Sequence, residues 1–595
     1  MRLHPRAHRR IRAVTAPGAA PSGPSRWRLL ARDPSQSDTA VVLTLTDDAA
    51  VLARDRCAID DVPRIVADAG ASARWVWSDT TRWYPAILAA GHVVARCRDL
   101  RLSHAILRRS ELVAGPDATA LRDAAPWDAA VADPAPASAP ALFDLEAAPA
   151  GVPDDVDAVL AEFTRQQRAV ATAAEGSRLR LLLAAESAGA LLAVELHAAG
   201  LPWNRGVHEA LLEEALGPRP APGTAPARVQ ELAGIVRTAL GDPAASLDSQ
   251  PKLLRSLHRV GVLARSTSRW ELAEYDHPAI APLLAYKKLT RLLSANGWAW
   301  LDEWAPDGRF RPVYVPGGVV TGRWASSGGG ALQLPRQLRP AVRADDGWML
   351  VVADVAQLEP RVLAAMSGDA ALAQAARGRD LYEGIVDSGV VATRQEAKIA
   401  LLGAMYGATT GDSGRLVPAL RRAYPRAMAL VDEAATVGEQ GGVVTTWLGR
   451  SSPAAGAGWR DVQGVAAAPE AAEADRAHAR RSARDRGRFT RNFVVQGTAA
   501  EWALAWLADL RGELAALPSV DPVAGAPASG PVFGRRAHLA FFLHDEIIVH
   551  TPAVHADAVA AAVRRSADRA TRLLFGAFPI DFPLDLRITA DAGKA

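Results

Sequence analysis

The chain has 595 residues, 49% of them apolar and 22% charged, with a formal net charge of +3. That length exceeds one hydrophobic core, and the balance is that of a soluble globular protein of two or more domains, not a disordered chain. No apolar run is long enough to span a bilayer, and the only cysteines, Cys57 and Cys97, exclude a disulfide framework or a Cys-based zinc site.

The first 26 residues are rich in Arg and His but lack the apolar stretch of a signal peptide. They read as a basic disordered tail, or as a start codon assigned too early. From Trp27 to about Ser110, short apolar runs (Ala40 to Leu45, Trp75 to Trp77, His92 to Ala95) alternate with helix-like stretches, the pattern of a small α/β domain. Gly115 to Asp157, rich in Ala, Pro and Asp, reads as a surface linker or long loop. Between Val152 and about Leu301 the periodicity is mostly helical, over Leu181 to Leu201, Val207 to Leu216, Ala227 to Leu240 and Lys252 to Val262. The remainder mixes strands and helices, with a polar, Ala/Gly/Arg-rich interruption from Ser451 to about Arg486 that carries no functional reading. The fold class is α+β with a helical middle.

Two acidic centres lie far apart in this second half. Trp348 to Asp354 is an apolar β-run ending on a carboxylate. By itself Asp354 reads first as the N-cap of the helix-like stretch from Ala356 to Met366. His538 to His550 reads as two apolar strands with His544, Asp545 and Glu546 at the bend, which alone is ordinary turn chemistry. Together, strand–Asp–helix and strand–His-Asp–strand make the palm layout of nucleotide polymerases. Two carboxylates brought together there repel unless a cation bridges them, and Mg²⁺ takes a few carboxylates with phosphate oxygens completing its octahedron.

Arg394 to Gly407 reads as a helix with Arg394, Lys398, Leu402 and Tyr406 on one face, four residues apart. Two cations followed by an apolar residue and an aromatic ring suit a nucleoside triphosphate lying along the helix. The bland alternative is a half-exposed helix with its charges in solvent.

These segments strongly resemble the polymerase portion of bacterial DNA polymerase I and its family A relatives, over roughly residues 185 to 595. Asp354-Val-Ala-Gln357-Leu-Glu359-Pro-Arg361 is similar to the family's first acidic motif, DYSQIELR. Arg394 to Gly407 resembles its Arg-x3-Lys-x7-Tyr-Gly helix, and His544-Asp545-Glu546 its His-Asp-Glu. Thr321-Gly322-Arg323 with Leu332-Gln333 and Pro335, Thr446-x-x-Gly449-Arg450, and Arg488-x3-Asn492-x3-Gln496-Gly497-Thr498 follow the family's order.

The resemblance implies a right-hand polymerase: thumb about 185–310, palm about 311–375 and 497–595, fingers about 376–496. A small α/β ribonuclease H-like exonuclease-type domain with its linker precedes it, over 27–180. Asp354 and Asp545 would bind two Mg²⁺ ions, with Glu546 as an accessory ligand and Mn²⁺ able to substitute. Glu359 would exclude a ribose 2′-hydroxyl, making deoxynucleoside triphosphates the substrate. Gln357, Arg394, Lys398, Leu402 and Tyr406 would hold the nucleotide, with Lys398 a proton donor to pyrophosphate. Arg323, Gln333, Arg361, Arg488, Asn492, Gln496 and His544 would position primer-template DNA. A monomer acting in DNA repair or replication, in the reducing cytoplasm and nucleoid-associated, is expected.

Departures from the pattern are specific. Leu402 stands where the family usually has Phe or Tyr, and Asp380-Leu-Tyr382 where it has Asp-Ile-His, removing one phosphate contact. In the exonuclease-like domain Arg82-Trp83 replace an expected carboxylate, and Asp144-Leu-Glu146 lies in the linker rather than on an early strand. The resemblance therefore implies lost proofreading, the alternative being a bifunctional enzyme with residual 3′–5′ exonuclease. No counterpart of the family's 5′-nuclease domain is expected, for want of room. A catalytically silent polymerase-shaped DNA-binding or repair scaffold is a rival. So is a phage-type RNA polymerase, against which Glu359 and the His-Asp-Glu spelling argue.

Overall fold

The apolar alternation that begins at Trp27 becomes a five-stranded sheet: β1 (Trp27–Asp33), β2 (Gln36–Leu45), β3 (Val51–Ala58), β4 (Arg74–Trp77) and β5 (Arg96–Asp99). The structure, a computed structural model, describes residues 27–128, 151–330, 334–408 and 411–593. The N-terminal tail, Asp144, Glu146 and Gln333 lie outside the described residues.

The sheet order is β3-β2-β1-β4-β5, with β4 and β5 parallel to β1 and the first three strands antiparallel. Successive residues point to opposite faces, so β1 feeds two cores. Leu29 and Ala31 pack towards Val156, Val159 and Phe163, and Leu30 packs with Trp75, Trp77 and Tyr84. The run expected at His92 to Ala95 is irregular, and the strand follows it at Arg96-Cys-Arg-Asp99, whose three charges hid it from an apolar pattern. β3 is an exposed edge carrying Arg54, Asp55 and Arg56, a charged edge that discourages pairing with another chain. The stretch expected to be linker contains a helix, Gly115–Arg122, and a turn that buries Trp127.

The helix Gly176–Ala199 is apolar nearly all round and is buried accordingly, packed against β5 and the long helix Glu473–Ala515. Three further helices, Arg205–Leu216, Ala227–Ala239 and Gln250–Arg259, fall on the expected helical stretches, and a fourth, Ile280–Asn296, lies in the mostly helical middle outside those stretches. Short pairs β6 (Leu201–Pro202) with β7 (Arg309–Phe310) and β8 (Val313–Val315) with β9 (Ala325–Gly328) join this region to the next.

The second sheet is wholly antiparallel, in the order β11-β12-β10-β13: β10 (Trp348–Val355), β11 (His538–Leu543), β12 (Glu546–Pro552) and β13 (Leu584–Thr589). Central β10 is apolar on both faces because both are covered, and the helix Ala556–Phe575 packs against it. The helix Glu473–Ala515 runs about 65 Å at 1.5 Å per residue. Its start and the helix Ala457–Ala467 make up most of the polar 451–486 stretch, and it continues unbroken through the division expected at 496/497. No helix among the described residues is long and apolar enough to cross a membrane.

Candidate active site

β10 carries Asp354 near its end, beside Asp545, which with Glu359, Tyr382, Leu402 and Tyr406 lines part of a cavity of about 290 Å³. Asp354 is not a helix cap. The following helix, Leu358–Ser367, starts after Gln357, which takes a left-handed φ of 49° and offers no side-chain cap. β11 and β12 turn back through His544, at φ 57°, and Asp545, whose N–H donates to Leu543 O at 2.7 Å. Val355 N–H donates to Asp545 O at 3.0 Å, tying the turn to the tip of β10. Burial, and then the neighbouring charge of Asp354, raise the Asp545 carboxyl to about 6. Two like charges are held together here.

Glu546 pairs with Asp354 in the strand register, but both its oxygens accept from Arg339, one of them at 2.5 Å from Nη2. The expectation of Glu546 as an accessory ligand is therefore corrected: its carboxylate is buried and already neutralised by a bidentate guanidinium. Burial first, and Arg323 second, lower His544 to about 4, so its ring is neutral at pH 7.

Opposite lies the helix Arg394–Tyr406, started by a capping box between Thr393 and Glu396 and stopped by Gly407 at φ 75°. Arg394 pairs with Asp380 at 2.7 Å, its guanidinium 5.5 Å from the Tyr382 ring centre. Lys398, one turn on, is exposed and makes no ion pair among the described residues. Leu402 and Tyr406 line the cavity. The Tyr406 hydroxyl donates to Glu359, which also accepts from Arg323, so this carboxylate is fixed from two sides. Gln357 Nε2 donates to Asp380 at 2.9 Å, joining the two halves of the site.

The sequence model of DNA polymerase family A matches residues 253–593. The chain belongs to this family. It is 26% identical over 361 residues to the thermostable DNA polymerase I of Thermus thermophilus, covering 56% of this chain and 38% of that protein. To the DNA polymerase I of Chloroflexus aurantiacus it is 29% identical over 315 residues, covering 48% of this chain and 30% of the relative. The chain thus spans well under half the length of these relatives. It shares the right-hand fold of a solved structure, the POL domain of Pol1 from M. smegmatis in complex with DNA primer-template and dNTP. The TM-score is 0.62, with 16% identity over 94% of this chain and 93% of that one.

The remaining residues that the family motifs single out differ in exposure and partners. Gln496 accepts from Thr321 Oγ1 at 3.0 Å, Asn492 is half-buried one turn earlier, and exposed Arg488 pairs with Asp485. Arg361 is fully buried. Its guanidinium donates to the carbonyls of Ala356, Ala376, Arg379 and Asp581 and to the Asp581 carboxylate. The expected DNA contact at Arg361 is corrected to a tie within the sheet-and-helix junction, because no donor is left to reach a duplex. Arg339 went unnoticed, since a lone Arg in a Pro-flanked turn carries no pattern. Tyr382, noted only as a missing phosphate contact, turns out to be a wall of the cavity.

Proposed function

We propose that the protein is a template-directed DNA polymerase that adds deoxynucleotides to a primer 3′ end, in DNA replication or repair. The observation that carries this is one cavity lined by Asp545, whose carboxyl feels the charge of Asp354, and by Leu402 and Tyr406 of the helix that also bears Arg394 and Lys398.

The donor set suits Mg²⁺ or Mn²⁺: hard carboxylate oxygens, with Asp545 raised by burial first and by the charge of Asp354 second, a repulsion that a cation relieves. Asp354 and Asp545 would hold two such ions, which when bound lower the pKa of the primer hydroxyl and stabilise charge on the leaving pyrophosphate. Arg394 and Lys398 would clamp the triphosphate, and Lys398 would give a proton to the departing pyrophosphate. Tyr406 would pack near the nascent base pair, with Leu402 beside the sugar. Glu359, pinned by Arg323 and Tyr406, has little freedom to move aside for a 2′-hydroxyl, which supports a role in sugar selection. Arg323, Arg488, Asn492, Gln496 and His544 would hold the duplex by position rather than sequence, as copying any template requires.

The N-terminal sheet we read as an exonuclease-like domain that has lost proofreading. Asp154, just before the helix Val156–Thr172 and beside the end of β1, pairs with Arg32 at 3.2 Å and Arg82 at 3.3 Å, and Asp33 pairs with Arg56 at 2.8 Å. Arginines thus neutralise the carboxylates that metal ions would need.

The test is extension of a labelled primer-template with deoxynucleotides or ribonucleotides, by the wild type and by Glu359→Ala. Deoxynucleotide-specific extension that Glu359→Ala relaxes towards ribonucleotides is expected. Equal use of both sets by the wild type would favour an RNA polymerase. No extension despite DNA binding would favour a silent scaffold.

A further inference from the structure

A second cavity, of about 820 Å³, lies in the N-terminal region, between the sheet and the helices Val156–Thr172 and Gly176–Ala199. β1, β4 and β5 run parallel with Trp27, Arg74 and Arg96 side by side at their starts, and Leu29, Val76 and Arg98 side by side two residues on. Alternate residues share a face, so Trp27, Arg74, Arg96 and Arg98 all face the roofing helices. Those helices supply Val170, Ala184 and Leu191 as an apolar wall and Arg168 and Arg180 at the cavity's edge. The Asp33 end of β1, where Arg32 and Asp154 pair, is roughly 20 Å from Trp27 and about 13 Å from the level of Arg98 at 3.3 Å per residue.

Five arginines and only two aspartates line this cavity, which leaves it strongly cationic. Neither aspartate answers the arginine at its floor. Asp47 accepts the Trp27 indole N–H at 3.1 Å, and Asp48 accepts from Thr46. Arg168 is engaged with Asp117 at 2.9 Å. Arg98 is 5% exposed and makes no ion pair among the described residues, and its Nη1 has no hydrogen-bond partner. Its guanidinium lies 5.9 Å from the Trp27 ring centre, with Arg74 already over that ring at 4.0 Å. Burial lowers this guanidinium to about 10, and Arg74 adds to the effect. A buried, unanswered cation destabilises a fold, and an apolar side chain of similar volume would serve packing better. Its chemistry calls for an anion from outside.

We propose that this cavity binds a small phosphate-bearing molecule of the nucleotide class, its phosphate on Arg98 and Arg180 and its base against the wall of Val170, Ala184 and Leu191. The volume fits a ligand of that size, whereas bare phosphate would leave the apolar wall uncovered. Arg98 sits too deep for the phosphates of a DNA backbone, which favours a small molecule. Arginine is suited to such a phosphate by its planar fork of donors.

The test is isothermal titration of the full-length chain, free of DNA, with deoxyadenosine monophosphate and with inorganic pyrophosphate. A background of Arg394→Ala with Lys398→Ala removes binding at the Asp354–Asp545 site. In that background we expect one site for deoxyadenosine monophosphate, weakened about tenfold or more by Arg98→Leu and by Arg180→Glu through loss of charge-assisted hydrogen bonds. Each substitution alone, in the wild-type chain, leaves primer extension unchanged. Arg180 is exposed, so Arg180→Glu decides the matter if Arg98→Leu fails to fold. Absence of binding in the background, or binding that neither substitution weakens, overturns the proposal. Pyrophosphate binding as tightly as the nucleotide would overturn the nucleotide class, and displacement by a single-stranded oligonucleotide alone would overturn the small-molecule assignment.

Discussion

Asp545 carries a cost that pH exposes. Its carboxyl is raised from 3.8 to about 6 in the folded, cation-free chain, so the folded state binds its proton more tightly than the unfolded state. Below about pH 4 both states are protonated and nothing is lost; stability falls as pH rises towards 6 and stays lower above it. The size is about 1–3 kcal/mol for a shift of this order. In EDTA, Asp545→Asn should therefore raise the melting temperature at pH 8 and leave it nearly unchanged at pH 4, and Mg²⁺ should narrow the gap at pH 8. An equal shift at both pH values would mean that the charge is not responsible. Arg361 makes the opposite case, a buried cation whose donors are all used. Arg361→Met should cost about 3–5 kcal/mol by orphaning its carbonyl partners and Asp581, read as a drop in the urea midpoint.

At the scale of elements, the Arg394–Tyr406 helix is bounded by chemistry that mutation can remove. Thr393→Ala should lose about 1 kcal/mol with the capping box. Gly407→Ala should lose more, because a Cβ there meets left-handed backbone and stands 2.7 Å from Arg488 Cγ. Thermal melts of the two variants rank these effects; equal shifts would deny the close approach of the two helices. This helix was legible in the sequence because its spacing, cap and Tyr-Gly close all agree. β10 and the β11–β12 turn were legible for the same reason, as apolar runs ending on carboxylates. β5 was not, since three of its four residues are charged and two of them, Arg98 and Asp99, are buried, Asp99 as a helix cap. Nor was the burial of Arg361 and Glu546 legible. Motif spacing says which residues recur together, but whether a charge faces substrate or a partner within the fold depends on segments distant in sequence, here Asp581 and Arg339.

On the scale of the whole molecule, the N-terminal sheet is fastened to the polymerase fold rather than tethered loosely. Arg511, on the long helix, donates to Glu195 and to the carbonyls of Val94 and Ala95, while Ser110 Oγ donates to Gly449 O at 2.9 Å. Such a junction holds the sheet in place whether or not it carries chemistry of its own. With Asp545→Ala to silence synthesis, the full chain should leave single-stranded DNA intact in Mg²⁺ or Mn²⁺; degradation that Asp154→Asn abolishes would restore an exonuclease. The most direct measurement is primer extension with deoxynucleotides in Mg²⁺ by the wild type, Asp354→Ala and Asp545→Ala, each checked for folding and DNA binding. We predict extension by the wild type and none by either variant, with duplex affinity retained in all three. Extension that survives loss of either carboxylate would contradict the assignment of the Asp354–Asp545 pair as the centre of DNA synthesis.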